Sequence, residues 1–293
     1  MKPSRPPDER PLVVISDLHM NRPDMVEHAS QVDALVDGAS TLVVNGDAAE
    51  VLREETSLEA RLELDRLRER CLTSGTRLLL LAGNHDPRIV PRRHLMLAGG
   101  EILVTHGDVV HEALAPWSDT ALISARRHRE VIQAKPASER DTLETLFEAC
   151  REAALAEAEV PEELGLPTTP LRVIARPRKI FDILGFWLTH ARRLNRFADR
   201  FTPSARIVIA GHSHRAAVHR VGGRTIINTG CFGTPGPALA VMVNEDGLQV
   251  RRLEQSRRNG NWSIAEGVVH EDRDIHVRPG ELPESDALRK AAG

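Results

Sequence analysis

Short apolar runs recur along the chain, and each one ends in a cluster of polar residues. The runs read PLVVISDLH (11–19), TLVVNGD (41–47), TRLLLLAGNHD (76–86), EILVTHGD (101–108) and RIVIAGHSH (206–214). Apolar runs of about this length, bounded by turn-forming residues, are typical of buried strands. Each run therefore predicts a strand with polar side chains at its carboxyl end.

Segments with helical character separate the first three strands. They cover residues 24–37 and 55–73, and the second mixes leucines with charged residues. Strands that alternate with helices predict an α/β domain in which right-handed crossovers join a parallel sheet. In such a sheet the chemistry lies at the carboxyl ends of the strands, where this chain carries its polar clusters.

The strand pattern stops at residue 109, and helical patterns replace it until about residue 203. Residues 141–158 place apolar side chains on one helical face, which predicts ordinary helix packing. Because a second such stretch follows at 178–201, we interpret 109–203 as a helical insertion or cap. The apolar positions of the second stretch are Phe181, Leu184, Trp187, Leu188, Leu194 and Phe197.

Strand patterns return from residue 206 to about 253. Turn signals at Gly222-Gly223 and Asp246-Gly247 predict hairpins between these strands. We expect the hairpins to close a second sheet.

The composition is that of a soluble globular protein. Of the 293 residues, 41% are hydrophobic and 28% are charged, and the formal net charge is -3. The small net charge, the aromatic content of 3% and the lack of tyrosine disfavour a nucleic-acid partner. We expect a domain at 11–255 (with the insertion at 109–203), a disordered leader at 1–10 and a peripheral tail at 256–293.

The cysteines and the amino terminus together predict a cytoplasmic protein. Cys71, Cys150 and Cys231 are far apart and form no C-x-x-C pair, so neither a disulfide framework nor a cysteine zinc site is predicted. The opening MKPSRPPDERP has no apolar signal-peptide core. No later segment approaches the roughly 18 apolar residues of a membrane span.

The polar side chains at the strand ends are of the kinds that bind metal ions. Asp17 and His19 flank one position, and so do His212 and His214; in extended backbone each pair points to one side and can bind one cation. Carboxylates mixed with imidazoles suit manganese, iron, zinc or cobalt. One carboxylate can also bridge two ions about 3.5–4 Å apart, an arrangement that clamps a phosphate ester. The other polar residues at the strand ends are Asp47, Asn84, His85, Asp86 and His106.

In chain order these residues resemble the motifs of the calcineurin-like metallophosphoesterases, which are D-x-H, G-D, G-N-H-D/E, a lone His and G-H-x-H. The matching residues are Asp17-Leu18-His19, Gly46-Asp47, Gly83-Asn84-His85-Asp86, His106 and Gly211-His212-Ser213-His214. The resemblance covers about 12–108 and 204–250. It implies a four-layer α/β/β/α sandwich, two divalent ions, and phosphoester hydrolysis by a hydroxide that bridges the ions.

The resemblance also implies which residues bind the two ions, with Asp47 as the bridge. The first ion would be bound by Asp17, His19 and His214. The second ion would be bound by Asn84, His106 and His212. His85 would protonate the leaving oxygen of the substrate.

Glu50 and Arg215 are further candidates beside these motifs. Glu50 follows Asp47 by three residues, a spacing at which an acid orients the histidine in related phosphatases; it could equally be a solvated residue that opens the helix at 55. Arg215 directly follows the last ligand and could bind a phosphate oxygen in a bidentate way. Asp86 and Asp108 are expected to form turns. The histidines outside the motifs, expected at the surface or in the core, are His94, His111, His128, His190 and His219.

The layout is similar to that of the UDP-2,3-diacylglucosamine hydrolases, which carry a helical cap before G-H-x-H-R and cleave a lipid-linked pyrophosphate at the cytoplasmic face of a membrane. Those enzymes read G-N-R-D, since a phosphate leaving group needs less protonation than an alkoxide, whereas residues 83–86 read G-N-H-D. The residues therefore favour a phosphate mono- or diester. The alternatives are such a pyrophosphate, then a nucleic acid, then a non-enzymatic scaffold, which the complete motifs disfavour.

A basic set around 171–202 leaves three interpretations of the insertion open. It could be a solvated face beside packed apolar residues, or an electropositive lid that attracts an anionic substrate. It could also be a peripheral contact of 178–201 with an anionic membrane, which the nearby Phe181, Phe186 and Trp187 favour. The basic residues are Arg172, Arg176, Arg178, Lys179, Arg192, Arg193, Arg196 and Arg200.

Overall fold

The computed structural model describes residues 9–52, 54–160, 177–233, 236–277 and 282–286. Most of the predicted leader lies outside these residues, as do Arg172 and Arg176 of the basic set. The side chains of Arg178 and Lys179 are outside the described part as well.

The described residues form eleven strands and five α-helices. The helices are α1 (Asp33–Asp37), α2 (Glu54–Ser74), α3 (Ala121–Ala134), α4 (Leu143–Ala158) and α5 (Pro177–Phe201), with short 3-10 helices at Ala29–Val32, Ala98–Gly100 and Asp108–Val110. The strands are β1 (Leu12–Ile15), β2 (Thr41–Asn45), β3 (Arg77–Leu81), β4 (His94–Leu97), β5 (Ile102–Thr105), β6 (Ile207–Ala210), β7 (Ala217–Val221), β8 (Arg224–Asn228), β9 (Leu239–Asn244), β10 (Gly247–Gln255) and β11 (Trp262–Asp272). All five predicted strands are present, while β4 and β11 were not predicted.

The strands lie in two mixed sheets, in the orders β11-β10-β9-β1-β2-β3 and β4-β5-β6-β8-β7. The first three strands pair in parallel, as predicted. The prediction that the later hairpins close a second sheet is only half correct. Hairpin β7–β8 lies in the second sheet, but hairpin β9–β10 extends the first, because β9 pairs antiparallel with the edge that β1 leaves open.

Successive side chains along each strand point to opposite faces of the sheet, and the hydrophobic core therefore consists of three clusters. Val13 and Ile15 pack under α1 and α2, whereas Leu12 and Val14 point between the two sheets. In the second sheet Leu103 faces the opposite way, toward α4 and α5. The order of layers is therefore helices, sheet, sheet, helices, which confirms the predicted four-layer α/β/β/α sandwich. Other residues between the sheets are Val43, Leu79, Ile102, Val104, Ile207 and Ile209.

Helices α3, α4 and α5 all lie between β5 and β6 in the chain, where the insertion was predicted. The predicted apolar stripe of α5 is wrong in part. Phe181 and Leu188 are 71% and 72% exposed, while Phe186 is 3% exposed although it was not in the stripe. The buried face of α5 instead follows a spacing of three or four residues through Phe186, His190, Leu194 and Phe197.

The chain beyond residue 255 contributes more to the fold than a peripheral tail would. Strand β11 pairs with β10 through two register shifts and extends the first sheet. At the other edge of that sheet, Leu80 N donates a hydrogen bond to Asp286 Oδ2 at 2.8 Å and Leu78 N donates to Ser285 Oγ at 3.1 Å. The residues after 255 therefore form one edge strand of the first sheet and accept hydrogen bonds from β3 at the other edge.

A buried histidine on α3 should make stability depend on pH. His128 is 6% exposed, and neither ring nitrogen has a hydrogen-bond partner among the described residues. Burial lowers the pKa of His128, although the charges of Glu112 and Asp108 oppose the shift and Arg129 adds to it. The unfolded chain therefore binds more protons, so the free energy of unfolding falls as pH drops below about 6.5.

We expect His128→Leu to raise the free energy of unfolding by about 1 kcal/mol at pH 8, because it removes unpaired buried nitrogens, and by more at pH 5. Urea unfolding at both pH values measures the difference. His219→Leu, at an exposed position of β7, is the control. A gain that is the same at both pH values would contradict the prediction.

Candidate metal centre

The first predicted ligand set converges at the carboxyl ends of β1 and β6. The Nε2 atoms of His19 and His214 are 3.1 Å apart, and Asp17 Oδ1 lies 3.2 Å from His214 Nε2 and 3.9 Å from His19 Nε2. Asp17 and His19 are fully buried. These three side chains leave room for one cation between them, and each can supply a ligand atom.

The second set lies beside the first, and Asp47 joins the two. Asp47 Oδ2 is 3.1 Å from His106 Nε2 and 3.7 Å from His19 Nε2, so one carboxylate oxygen contacts both groups. Asn84 Oδ1 lies 3.2 Å from His106 Nε2. A ring nitrogen of His212 is within 4.8 Å of ligand atoms of Asp47 and His106. The structure thus brings together all seven predicted ligands.

Left-handed backbone directs these side chains inward, contrary to the extended backbone that we expected in D-x-H and H-x-H. The φ angle is 54° at Asp17, 46° at His19, 51° at Asp47, 65° at His212 and 55° at His214. Non-glycine residues adopt this region at a cost of about 1–2 kcal/mol each. Such strain at five ligand positions indicates that the fold imposes the arrangement.

Hydrogen bonds fix which nitrogen of each ring faces the centre. His19 Nδ1 donates to Glu50 Oε1 at 2.7 Å and His106 Nδ1 donates to the carbonyl of Asn45 at 3.0 Å, which leaves both Nε2 lone pairs for an ion. His212 is reversed: its Nε2 donates to the Leu114 carbonyl at 2.9 Å and leaves Nδ1 free. In the second predicted ligand set, His106 thus presents Nε2 to the centre and His212 presents Nδ1.

The charges of the centre fit divalent cations. Asp17 and Asp47 are at most 1% exposed, and among the described residues their only ion-pair partners are histidines. Burial would raise the pKa of Asp47, but the charges of His106 and His85 hold it well below its usual value. Burial would likewise lower the pKa of His106, yet Asp47 raises it to about 10, so a cation bound at His106 Nε2 would displace a proton. Two buried carboxylates whose ion-pair partners in the described residues are imidazoles form a donor set that could hold a divalent cation.

The profile of the calcineurin-like phosphoesterases matches residues 10–216, more than half of the chain. The chain belongs to this family. Since the match begins before β1 and ends after His214, it includes every ligand named above as well as the helical insertion.

Solved structures of similar proteins are distant from this chain. Yfce, a phosphoesterase from E. coli, is 13% identical over 90% of this chain and 99% of its own, with a TM-score of 0.38. Vps29 from Entamoeba histolytica, solved with zinc, is 12% identical over 89% and 99%, with a TM-score of 0.40. No curated protein matches the chain. Likenesses this remote do not bear on the substrate.

The candidate centre has a further histidine, His85, whose side chain is a third exposed. Its Nδ1 donates to Glu50 Oε2 at 2.8 Å, and its backbone N donates to Asp47 Oδ1 at 2.8 Å. Burial would lower the pKa of His85, but the carboxylates of Glu50 and Asp47 raise it to about 9. These two carboxylates favour the protonated imidazole, which carries its second proton on Nε2.

Glu50 is 5% exposed and is not the solvated residue of the alternative interpretation. Its two oxygens contact two different rings, those of His19 and His85. One carboxylate thus positions a predicted ligand and the predicted proton donor together. Arg22 approaches the same carboxylate at 3.5 Å.

Asp86 and Asp108 are both buried and have larger roles than turn formation. Asp86 accepts hydrogen bonds from the backbone N–H groups of Gly83, Asp47 and Ala48 at 2.7, 3.2 and 2.6 Å, so it ties two ligand loops together. Asp108 forms a buried ion pair with Arg93. Sequence gave no sign of Arg93 as its partner.

The insertion supplies side chains that the motifs do not contain. Trp187 Nε1 donates to the Ser213 carbonyl at 2.9 Å, and the guanidinium of Arg215 lies 5.4 Å from the centre of the Trp187 ring. Phe186 and Trp117 lie beside the ring of His212, with centroids 5.8 and 6.0 Å away. Among the described residues, neither α5 nor any other helix is both long enough and apolar enough to cross a membrane.

Gly211 must be glycine because there is no space for a Cβ beside the loop that follows β1. A Cβ there would overlap Asp17 Oδ2 and Ser16 Oγ. We expect Gly211→Ala to displace the Asp17 carboxylate and weaken metal binding by about tenfold, which calorimetric titration with Mn²⁺ would measure. Gly185→Ala, where a Cβ meets nothing within 4 Å, is the control. Equal affinities in the two variants would contradict the expectation.

Proposed function

We propose that the protein is a dimetal-dependent hydrolase of phosphate mono- or diesters. The observation that carries the proposal is Asp47 Oδ2, which lies within 3.1 Å of His106 and 3.7 Å of His19 and so can bridge two ligand sets. His85 stands beside the same carboxylate. Ligands for two ions and a protonated imidazole are the groups that phosphoester hydrolysis requires.

The proposed ligands are Asp17, His19, His214 and Asp47 for one ion, and Asn84, His106, His212 and Asp47 for the other. We propose manganese as the ion in use, with iron, zinc and cobalt as alternatives that the same donors accept. When bound, two such ions neutralise charge on the phosphate and make water a stronger nucleophile.

The chain's own residues supply the remaining chemistry. His85 donates the Nε2 proton to the leaving oxygen, while Glu50 holds the other side of its ring at 2.8 Å. Arg215, which is exposed and stacks over Trp187, binds a nonbridging phosphate oxygen.

The choice of ester over pyrophosphate rests on His85. A protonated imidazole aids an alkoxide leaving group more than a phosphate. The test is a panel of nitrophenyl phosphate, its bis ester, alkyl phosphates, a nucleotide-linked lipid pyrophosphate and DNA, each with two equivalents of Mn²⁺ and with metal analysis of the same sample. If the protein hydrolysed no substrate of the panel, the proposal would be overturned. A metal content below one equivalent per chain would favour a non-enzymatic scaffold instead.

One surface favours a second candidate, a lipid-linked pyrophosphate. Phe181, Leu184 and Leu188 are 71%, 43% and 72% exposed along one side of α5, and Arg192 nearby is exposed as well. Exposed apolar and basic residues on one helix suit an acyl-bearing anion or the surface of a membrane. The lipid pyrophosphate in the panel tests this candidate. For either substrate, the cysteine usage supports a cytoplasmic location.

A further inference from the structure

The helical insertion contacts the last metal motif, Gly211-His212-Ser213-His214, by direct hydrogen bonds. The Leu114 carbonyl, at the start of the insertion, accepts from His212 Nε2 at 2.9 Å. Trp187 of α5 donates from Nε1 to the Ser213 carbonyl, also at 2.9 Å. Both bonds come from residues 109–203, and both end on the loop that contributes a ligand to each ion set.

The residue whose carbonyl accepts this bond from His212 has a strained backbone. Leu114 is fully buried and has a φ of 47°, in the left-handed region where leucine is rarely found. Such strain persists only where the surrounding structure holds it. The neighbours of Leu114 in the core include Phe147 of α4 and Leu194 of α5.

Aromatic rings of the insertion pack beside His212. Phe186 is 3% exposed and stands edge-on to the His212 ring, with centroids 5.8 Å apart. It stacks on His190 at 4.8 Å and meets Trp117 at 5.0 Å. The His212 ring is therefore fixed in position by packing and in tautomer by one carbonyl.

Helix α5 also touches the loop of the ligand His106. His190 Nε2 lies 3.4 Å from the carbonyl of Gly107, and a Cβ on Gly107 would approach that nitrogen to 3.2 Å. The insertion therefore contacts the loops of both second-set histidines.

We infer that the insertion is a structural part of the metal centre: Leu114 and Trp187 position His212 and the loop around it, and so set the affinity for the second ion. This inference rests on the proposed dimetal function. It differs from the interpretation of the insertion as a lid or a membrane contact, since a cover could be weakened without changing metal affinity.

Trp187→Phe is the test, because it removes one N–H and keeps an aromatic ring under Arg215. Ser213's carbonyl then loses its partner, and outer partners of metal ligands typically contribute 10- to 100-fold in affinity. We expect the dissociation constant of one Mn²⁺ to rise about tenfold while the other changes little. With Co²⁺ in place of Mn²⁺, the absorption spectrum of one ion should shift.

Trp262→Phe is the matched control, since Trp262 is 7% exposed in β11 and its Nε1 has no hydrogen-bond partner among the described residues. It should leave both dissociation constants within about twofold of the wild type. The melting temperatures of the metal-free proteins show separately how much each substitution changes stability. Arg215→Gln should change the KM for substrate and not the metal affinity, which separates loss of the Trp187 bond from loss of the arginine.

Three outcomes decide the inference. A selective rise in one dissociation constant in Trp187→Phe supports it. Two ions bound by Trp187→Phe as tightly as by the wild type overturn it and leave the proposed function intact. A wild-type protein that binds fewer than two ions overturns both.

Discussion

Asp47→Asn should abolish hydrolysis, with kcat/KM reduced by about 10³-fold or more, and should lower the metal content from two ions to at most one. Asp47 Oδ2 lies 3.1 Å from His106 Nε2 and 3.7 Å from His19 Nε2, so the substitution affects both ligand sets. Asparagine fills the same volume but has one oxygen and no charge. When several residues act together in catalysis, removing one of them removes nearly all of the rate enhancement that the group supplies.

The matched control is Asp246→Asn, which removes the same charge at an exposed turn between β9 and β10. It should retain two ions and full activity. Metal analysis after dialysis and rates with bis-nitrophenyl phosphate provide the two readouts. If Asp47→Asn kept both ions and more than a tenth of the activity, Asp47 would not be a bridging ligand.

His85→Gln should reduce kcat for an alkyl phosphate by about 10²- to 10³-fold, and for nitrophenyl phosphate by less than about tenfold. The reason is the leaving group: nitrophenolate departs without a proton, whereas an alkoxide needs the one on His85 Nε2. Since His85 is not among the proposed ligands, the metal content should remain at two ions. Rates for a series of leaving groups of graded basicity measure the difference.

His219→Gln on β7 is the control for the loss of a histidine, because His219 is exposed. His85→Arg extends the test to the G-N-R-D pattern. If arginine at position 85 raised activity on the lipid pyrophosphate and lowered it on esters, the leaving-group argument would hold in both directions. An equal loss on all leaving groups in His85→Gln would mean that His85 does not act as the acid.

Much of the site followed from sequence because its residues recur at one place in each strand. Asp17 and Asp47 follow β1 and β2, which pair in parallel, and His106 follows β5 at the matching end of the second sheet. The four-layer fold could be predicted for the same reason, since the resemblance rested on the order of these motifs. The ligand positions required no knowledge of the packing.

Other features depend on backbone conformation or on contacts between distant segments, and no local pattern carries them. The left-handed φ of Asp17 and His19 replaces the extended backbone that alternation suggested. The Leu114 carbonyl is a main-chain atom, so its residue type gives no sign of its hydrogen bond to His212. Similarly, periodicity alone could not tell which apolar residues of α5 are buried and which, like Phe181 and Leu188, are exposed, because both faces of the helix carry apolar residues.

The left-handed backbone at five ligand positions has an energetic consequence. The free energy needed to hold Asp17, His19, Asp47, His212 and His214 in that region is supplied by the two sheets when the chain folds. A cation then meets donor atoms that already lie within 4.8 Å of one another, so its binding does not have to order the loops. The centre is preorganised, and preorganisation strengthens binding mainly by lowering its entropic cost.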